Sequence, residues 1–206
     1  VKERGAVFHV DAVQAAGKLP LDLKSSTVDL FSISGHKLHA PKGVGALYVR
    51  KGTKIRPLIV GGHQERGRRA GTENVASVAG MGVACDLAAA HIEVENSVVR
   101  GLRDCLEKSL VEGVPDTQAN GDPAHRLPNT TNISFKYIEG EGILLLMDQY
   151  GICASSGSAC TSGSLEPSHV LRAMGVPFTA AHGSIRYSLS IYNTEEEIDF
   201  VIDKMP

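Results

Sequence analysis

Residues 28–37 read VDLFSISGHK, an apolar run that closes on small polar residues and a lysine. Leucine, phenylalanine and β-branched side chains ahead of a glycine predict a short, buried β-strand. Similar runs at residues 5–11 and 44–50 predict neighbouring strands, with a short helix over residues 12–17. The predicted fold class is therefore α/β, with a mixed sheet that is buried on both faces.

Composition excludes several classes of protein. The 206 residues carry a formal net charge of −2, which gives no basic footprint for a nucleic acid. No apolar stretch approaches the roughly 18 residues of a membrane-spanning helix, and the N-terminus does not resemble a signal peptide. We therefore expect a cytoplasmic protein without nucleic-acid or membrane partners.

The four cysteines show neither metal-finger spacing nor a dense disulfide framework. Cys85 and Cys105 lie in helical patterns, so we expect them to be buried and inert, and we expect the same of Cys153 in a predicted strand. Cys160 differs, because it lies in the run ASSGSACTSGS at residues 154–164. Such a run is either a flexible linker with an incidental cysteine or a mobile tether for a reactive thiol, spanning about residues 155–165.

A helical pattern over residues 75–110 joins two halves of the chain. We predict that residues 1–90 are part of one domain and that residues 91–206 form a second domain. In the second, Thr194 and Glu197 form a capping box that predicts the start of the last helix. The other elements predicted there are strands at residues 132–137, 152–155 and 184–190 and a helix at residues 140–150.

Lys37 stands out because of the residues around it. A lone lysine is usually a solvated charge. Here, however, Asp11 ends another predicted strand, Gln14 follows a turn later, and Ser34 and His36 flank the lysine. An amine, a carboxylate, an amide and hydroxyl donors are the groups that hold pyridoxal phosphate (PLP): the lysine forms a Schiff base and the carboxylate keeps the ring nitrogen protonated.

Residues 61–72, GGHQERGRRAGT, form a polar segment rich in glycine and arginine. Such a segment is a solvated basic loop, an anion site or a subunit contact. The sequence leaves these interpretations open.

Five ordered motifs resemble those of the NifS/IscS-type cysteine desulfurases, which are class V aminotransferases of PLP fold type I. They are HVDAVQ at residues 9–14, SGHK at 34–37, RRAGTEN at 68–74, the small-residue loop with LEP at 155–167, and SIRYSL at 184–189. The resemblance covers the whole chain, corresponds to the C-terminal half of such enzymes and is nearest to the NifS branch linked to nitrogen fixation. It implies part of the large-domain sheet followed by the small C-terminal α+β domain.

The resemblance implies roles for the cofactor-binding residues. Lys37 would bind PLP covalently, Asp11 would pair with the pyridinium nitrogen, and Gln14 would hydrogen-bond the phenolic oxygen. Ser34 and His36 would hold the phosphate.

The resemblance also implies a substrate and partners. Thr72 matches a residue that reaches the phosphate of the neighbouring subunit, which implies a homodimer. Arg186 would bind the carboxylate of L-cysteine as a planar fork. Cys160 would take the substrate sulfur, leaving L-alanine and a persulfide that passes to an iron–sulfur scaffold protein, with nitrogenase cofactor maturation as one destination. Transient ligation of an iron–sulfur cluster is a further implied role of Cys160.

Family members are about twice as long as this chain. The part without a counterpart supplies a phosphate-binding turn, a ring-stacking histidine and an asparagine, so we expect the isolated chain to bind PLP weakly or not at all. Two alternatives stay open. A selenocysteine lyase or another class V aminotransferase-type enzyme would not need Cys160, and a non-catalytic dimerisation or docking fragment would not need Lys37.

Overall fold

Two compact units, Val1–Ile92 and Glu93–Pro206, make up the computed structural model of the chain. The structure describes residues 1–156 and 167–205. Cys160 and most of the loop that carries it therefore lie outside the described residues.

The first unit contains a three-stranded mixed sheet in the order β1-β2-β3. β1 runs parallel to β2, and β2 runs antiparallel to β3. The elements are β1 (His9–Asp11), β2 (Leu30–Ser34), β3 (Gly45–Val49), 3-10 turns at Lys2–Arg4 and Gly35–Leu38, α1 (Gln64–Gly67) and α2 (Val75–Ala90).

Small apolar clusters hold this sheet to its neighbours. Phe31 and Val28 pack with the buried Ala12, and Leu38 packs with Ala84 of α2. The mixed sheet was predicted correctly, but the prediction that both faces are buried is wrong, since Leu47 of β3 is 50% exposed.

The predicted helix over residues 12–17 is also wrong. The amides of Ala15 and Ala16 both donate to the carbonyl of Ala12, and those of Lys18 and Leu19 to the carbonyl of Ala15, which makes successive turns and not a continuous helix. A segment of six residues gains few helical hydrogen bonds against the cost of nucleating a helix.

The second unit is a four-stranded antiparallel sheet in the order β4-β5-β7-β6. Helices α4, α5 and α8 contribute to its core. Its elements are α3 (Ile92–Val94, at the border of the units), a π-helical segment (Glu95–Val99), α4 (Arg100–Gly113), β4 (Thr117–Asn120), β5 (Thr130–Phe135), α5 (Gly140–Gln149), β6 (Ser155–Ser156), α6 (His169–Ala173), α7 (Phe178–Ala181), β7 (Ser184–Ser188) and α8 (Glu195–Lys204).

One face of this sheet supplies the core. Ile133 of β5 lies opposite Ile185 of β7, and both are completely buried. Leu106 and Leu110 of α4 pack against them, as does Ile198 of α8. Since side chains alternate along a strand, the residues between these apolar ones lie on the other face.

Several predicted elements are confirmed with shifted ends. The capping box is present, with the Thr194 side chain accepting from the Glu197 amide and the Glu197 side chain accepting from the Thr194 amide. The predicted long helix is interrupted at His91 and by the π-helical segment. The expected burial of Cys105 and Cys153 is wrong, because both residues are exposed, and Cys85 is half-buried.

No single helix in the described ranges is long and apolar enough to cross a membrane. Only the bent pair Val75–Ala90 and Ile92–Gly113 meets the length and composition criteria, and only when taken together.

A half-buried ion pair, Glu107–Arg126, ties α4 to the segment before β5, and Thr131 links it to β5. Arg126 donates two hydrogen bonds to Glu107, one of them at 2.8 Å, and the hydroxyl of Thr131 donates to the same carboxylate. The hydrogen bond from Arg126 is the main reason that the pKa of Glu107 lies below its usual value. The carboxylate is therefore favoured in the folded state, and this stabilisation is lost as the pH falls through the lowered pKa.

We expect Glu107→Gln to lower the free energy of unfolding by about 1–3 kcal/mol near neutral pH, because Arg126 loses its charged partner. The loss should shrink in acid, where the native carboxylate also protonates. Urea unfolding at both pH values measures this difference, with the exposed Glu112→Gln on the same helix as control. An equal loss in acid and at neutral pH would contradict the assignment.

Candidate functional site

Five of the predicted cofactor-binding residues lie around the carboxyl ends of two parallel strands. Asp11 is the last residue of β1, and Ser34 is the last residue of β2. The amide of Ala12 donates to the carbonyl of Ser32 at 3.0 Å, which continues the pairing past Asp11. Ligands of α/β sheets characteristically bind outside this edge.

The turn Gly35–Leu38 presents Lys37 at this edge. Leu38 is buried among Ala16 and Ala84, whereas His36 and Lys37 are exposed. Among the residues that the structure describes, the Lys37 side-chain amine has no hydrogen-bond or ion-pair partner. Burial of Leu38 thus fixes the turn and leaves the amine exposed.

A tight approach of two chain segments fixes the start of this turn. The amide of Gly35 donates to the carbonyl of Val44 at 2.9 Å. A β-carbon added at Gly35 would lie 3.0 Å from that carbonyl oxygen and 2.8 Å from a Val44 methyl group. The lack of space for a β-carbon therefore requires glycine here. Backbone conformation does not, because the φ of Gly35 lies outside the left-handed region.

The polar groups beside Lys37 are already arranged. The Ser34 hydroxyl lies 2.8 Å from Nδ1 of His36. One oxygen of Asp11 accepts the amide of Val13 at 3.1 Å, and Gln14 is exposed in the following turn.

These polar groups fit PLP. The edge offers a free amine, a carboxylate held at one oxygen and a hydroxyl–imidazole pair for a phosphate. By contrast, no cluster of three metal-ligating side chains occurs within residues 1–156 and 167–205.

Thr72 lies apart from that edge in the sequence, in the exposed basic segment before α2. The side-chain oxygen of Gln64 accepts the amide of Gly71 at 3.2 Å, so the segment folds back on itself. Asn74 caps α2 by accepting the amide of Ser77 at 3.2 Å. These contacts hold the segment without engaging the Thr72 hydroxyl.

Arg186 belongs to the second unit, where it lies exposed on β7. Its neighbours across the sheet are Asn132 of β5 and Ser155 of β6. The guanidinium donates from Nη2 to the Ser155 hydroxyl at 3.3 Å. Asn132 and Ser155 were not among the predicted site residues, although the alternation TTNISF at residues 130–135 already separates a polar face from an apolar one.

We expect Gly35→Ala to lower the free energy of unfolding by about 1–3 kcal/mol, since the added methyl group displaces Val44. Gly82→Ala is the matched control, because Gly82 lies within α2 with open space around it. The control should be neutral or more stable by about 0.5–1 kcal/mol. Urea unfolding of both variants measures the contrast, and equal stability of the two would refute the steric argument.

Comparisons with known proteins identify the family to which the chain is similar. The aminotransferase class-V family profile matches residues 1–201. A cysteine desulfurase of Trichormus azollae is 66% identical over 206 residues, covering 100% of this chain and 52% of the relative. The cysteine desulfurase NifS of Azotobacter vinelandii is 63% identical over 204 residues, covering 99% of this chain and 51% of the relative.

Solved structures are similar as well. A NifS-like protein superimposes with a TM-score of 0.88 at 41% identity, covering 99% of this chain and 52% of that one. The NifS-like protein from Rickettsia africae gives a TM-score of 0.89 at 37% identity, covering 98% and 53%. The chain thus spans about half the length of the relatives it matches.

These matches confirm the predicted fold class, a partial PLP-dependent transferase fold of type I. The class V aminotransferases and cysteine desulfurases that the chain matches are PLP-dependent enzymes. The chain belongs to the class V aminotransferase family.

Proposed function

We propose that the chain supplies the lysine and the thiol of a PLP-dependent cysteine desulfurase. The observation that carries this proposal is the exposed Lys37 amine, without a partner in the described ranges, at the carboxyl edge of the parallel strands. The desulfurases of T. azollae and A. vinelandii support it, since each matches nearly the whole chain at more than 60% identity.

The residues of the first unit would hold the cofactor. Lys37 binds it covalently, Asp11 keeps its ring nitrogen protonated and Gln14 donates to its phenolic oxygen. Ser34 and His36 hold the phosphate. PLP, when bound, withdraws electrons from the substrate carbon that carries the amino group.

The residues of the second unit would handle the substrate. Arg186 binds the carboxylate of L-cysteine, and its planar guanidinium matches the two carboxylate oxygens. The Cys160 thiolate attacks the substrate sulfur, whose bond to carbon breaks as the new sulfur–sulfur bond forms. A proton added to the carbon that carried the sulfur gives L-alanine, and Cys160 keeps the sulfur as a persulfide.

Partners follow from this chemistry. We propose a homodimer in which Thr72 and the basic segment around it reach the neighbouring subunit. The persulfide passes to an iron–sulfur scaffold protein, and in the NifS branch this sulfur serves nitrogen fixation. Cys160 would also ligate an iron–sulfur cluster transiently. A cytoplasmic location suits free thiols such as Cys85 and Cys105, because reducing compartments keep them unpaired.

A chimera tests the proposal. Residues 1–206 replace the matching half of the A. vinelandii relative, which supplies the rest of the enzyme. We expect PLP-dependent visible absorbance and equimolar release of L-alanine and sulfide from L-cysteine with a reductant. Lys37→Ala should abolish the absorbance, whereas Cys160→Ser should keep it and lose sulfur transfer. A chimera whose Cys160→Ser variant turns over L-cysteine unchanged would contradict the proposal and favour another enzyme of the family.

A further inference from the structure

A row of polar side chains crosses the sheet of the second unit at the level of Arg186. Asn120 of β4 lies opposite Asn132 of β5, Asn132 lies opposite Arg186 of β7, and Arg186 lies opposite Ser155 of β6. Opposed residues of antiparallel strands place their side chains on the same face, about 5 Å apart. The row is therefore a continuous polar strip on the face opposite the core.

Hydrogen bonds along this strip have a direction. The amide nitrogen of the Gln118 side chain donates to Oδ1 of Asn120 at 3.1 Å. Nδ2 of Asn120 then donates to Oδ1 of Asn132 at 2.7 Å and to the Ser134 hydroxyl at 2.7 Å. Each amide is thus oriented by the one before it, and donors polarise one another along such a chain.

This orientation determines what Asn132 can offer to a ligand. Its oxygen already accepts from Asn120, so its free group is the Nδ2 donor, which donates to none of the residues described by the structure. Arg186, next in the row, has only donors, and one of them makes the 3.3 Å contact with Ser155. Two donor groups therefore lie side by side, and the complementary ligand is an anion with several acceptor oxygens.

We propose that Asn132 is a second recognition residue for the carboxylate that Arg186 binds, and that Asn120 is a positioning residue that orients its amide. The identity of this carboxylate as that of the substrate rests on the proposed function. A carboxylate accepts up to about four hydrogen bonds, so an amide beside the guanidinium adds a contact without competing for the same lone pairs.

Titration of the 206-residue chain with propionate, followed by side-chain NMR signals, tests the inference without cofactor or turnover. We expect propionate to shift the Arg186 Nε–H and Asn132 Nδ2 signals together, whereas uncharged propionamide of the same shape shifts neither. Asn132→Asp keeps the shape but replaces the donor by a carboxylate beside Arg186. We expect it to weaken propionate binding by at least about tenfold, and Asn132→Ala and Asn120→Ala to weaken it less.

Ser188→Ala is the matched control, because Ser188 lies two residues along β7 on the same exposed face. It should bind propionate like the unchanged chain. Backbone amide spectra identify any variant that fails to fold, and in the chimera Asn132→Ala should raise KM for L-cysteine with little effect on kcat. Propionate binding that Asn132→Asp leaves unchanged, or an unchanged KM, would overturn the inference. A chimera that releases no sulfide would instead refute the proposed function and leave the titration valid.

Discussion

Register between β5 and β7 is the constraint on which the second unit depends. With Ile133 opposite Ile185, one face of the sheet is apolar and completely buried beneath the helices. The same register places Asn132 opposite Arg186 on the other face. A slip of β7 by one residue would turn the Arg186 guanidinium into the core and Ile185 into solvent, and burying an unpaired charge is costly. Packing on one face thus fixes the polar chemistry on the other.

In the first unit, too, packing fixes the position of polar side chains, but fewer apolar residues are buried. Its strands are short, and Leu47 of β3 remains half exposed. What fixes the reactive turn is local: Leu38 is buried, and Gly35 lies against Val44. The neighbouring Lys37 then needs no contact of its own. An exposed amine beside a hydrogen-bonded Ser34–His36 pair suits the proposed roles, in which the pair positions an anion and the lysine forms a bond.

Sequence patterns predicted the elements whose apolar residues are periodic. β2, β5, β7 and the capped helix α8 were found for that reason. β4 was missed because Thr117–Asn120 is a polar edge strand whose pairing, not its composition, makes it a strand. Exposure of Cys105 was missed because the helical pattern alone did not show which flank of α4 faces solvent. The site residues Asn132 and Ser155 were missed because they meet Arg186 only through strand register, across more than thirty positions of sequence.

Each unit has its own apolar core, and the proposed roles of the site residues divide between the two units in the same way. Lys37, Asp11 and the Ser34–His36 pair, which we propose to bind the cofactor, depend on the cluster around Leu38, whereas Arg186 and Asn132 depend on the cluster around Ile133. Substitutions in separate cores have nearly additive effects on stability when they share no partners. The proposed recognition of a carboxylate by the second unit can therefore be tested apart from the proposed cofactor binding by the first. Within the second unit, Glu107 accepts hydrogen bonds from Arg126 and from Thr131, the residue next to Asn132, so the charge of Glu107 supports the strand that carries Asn132.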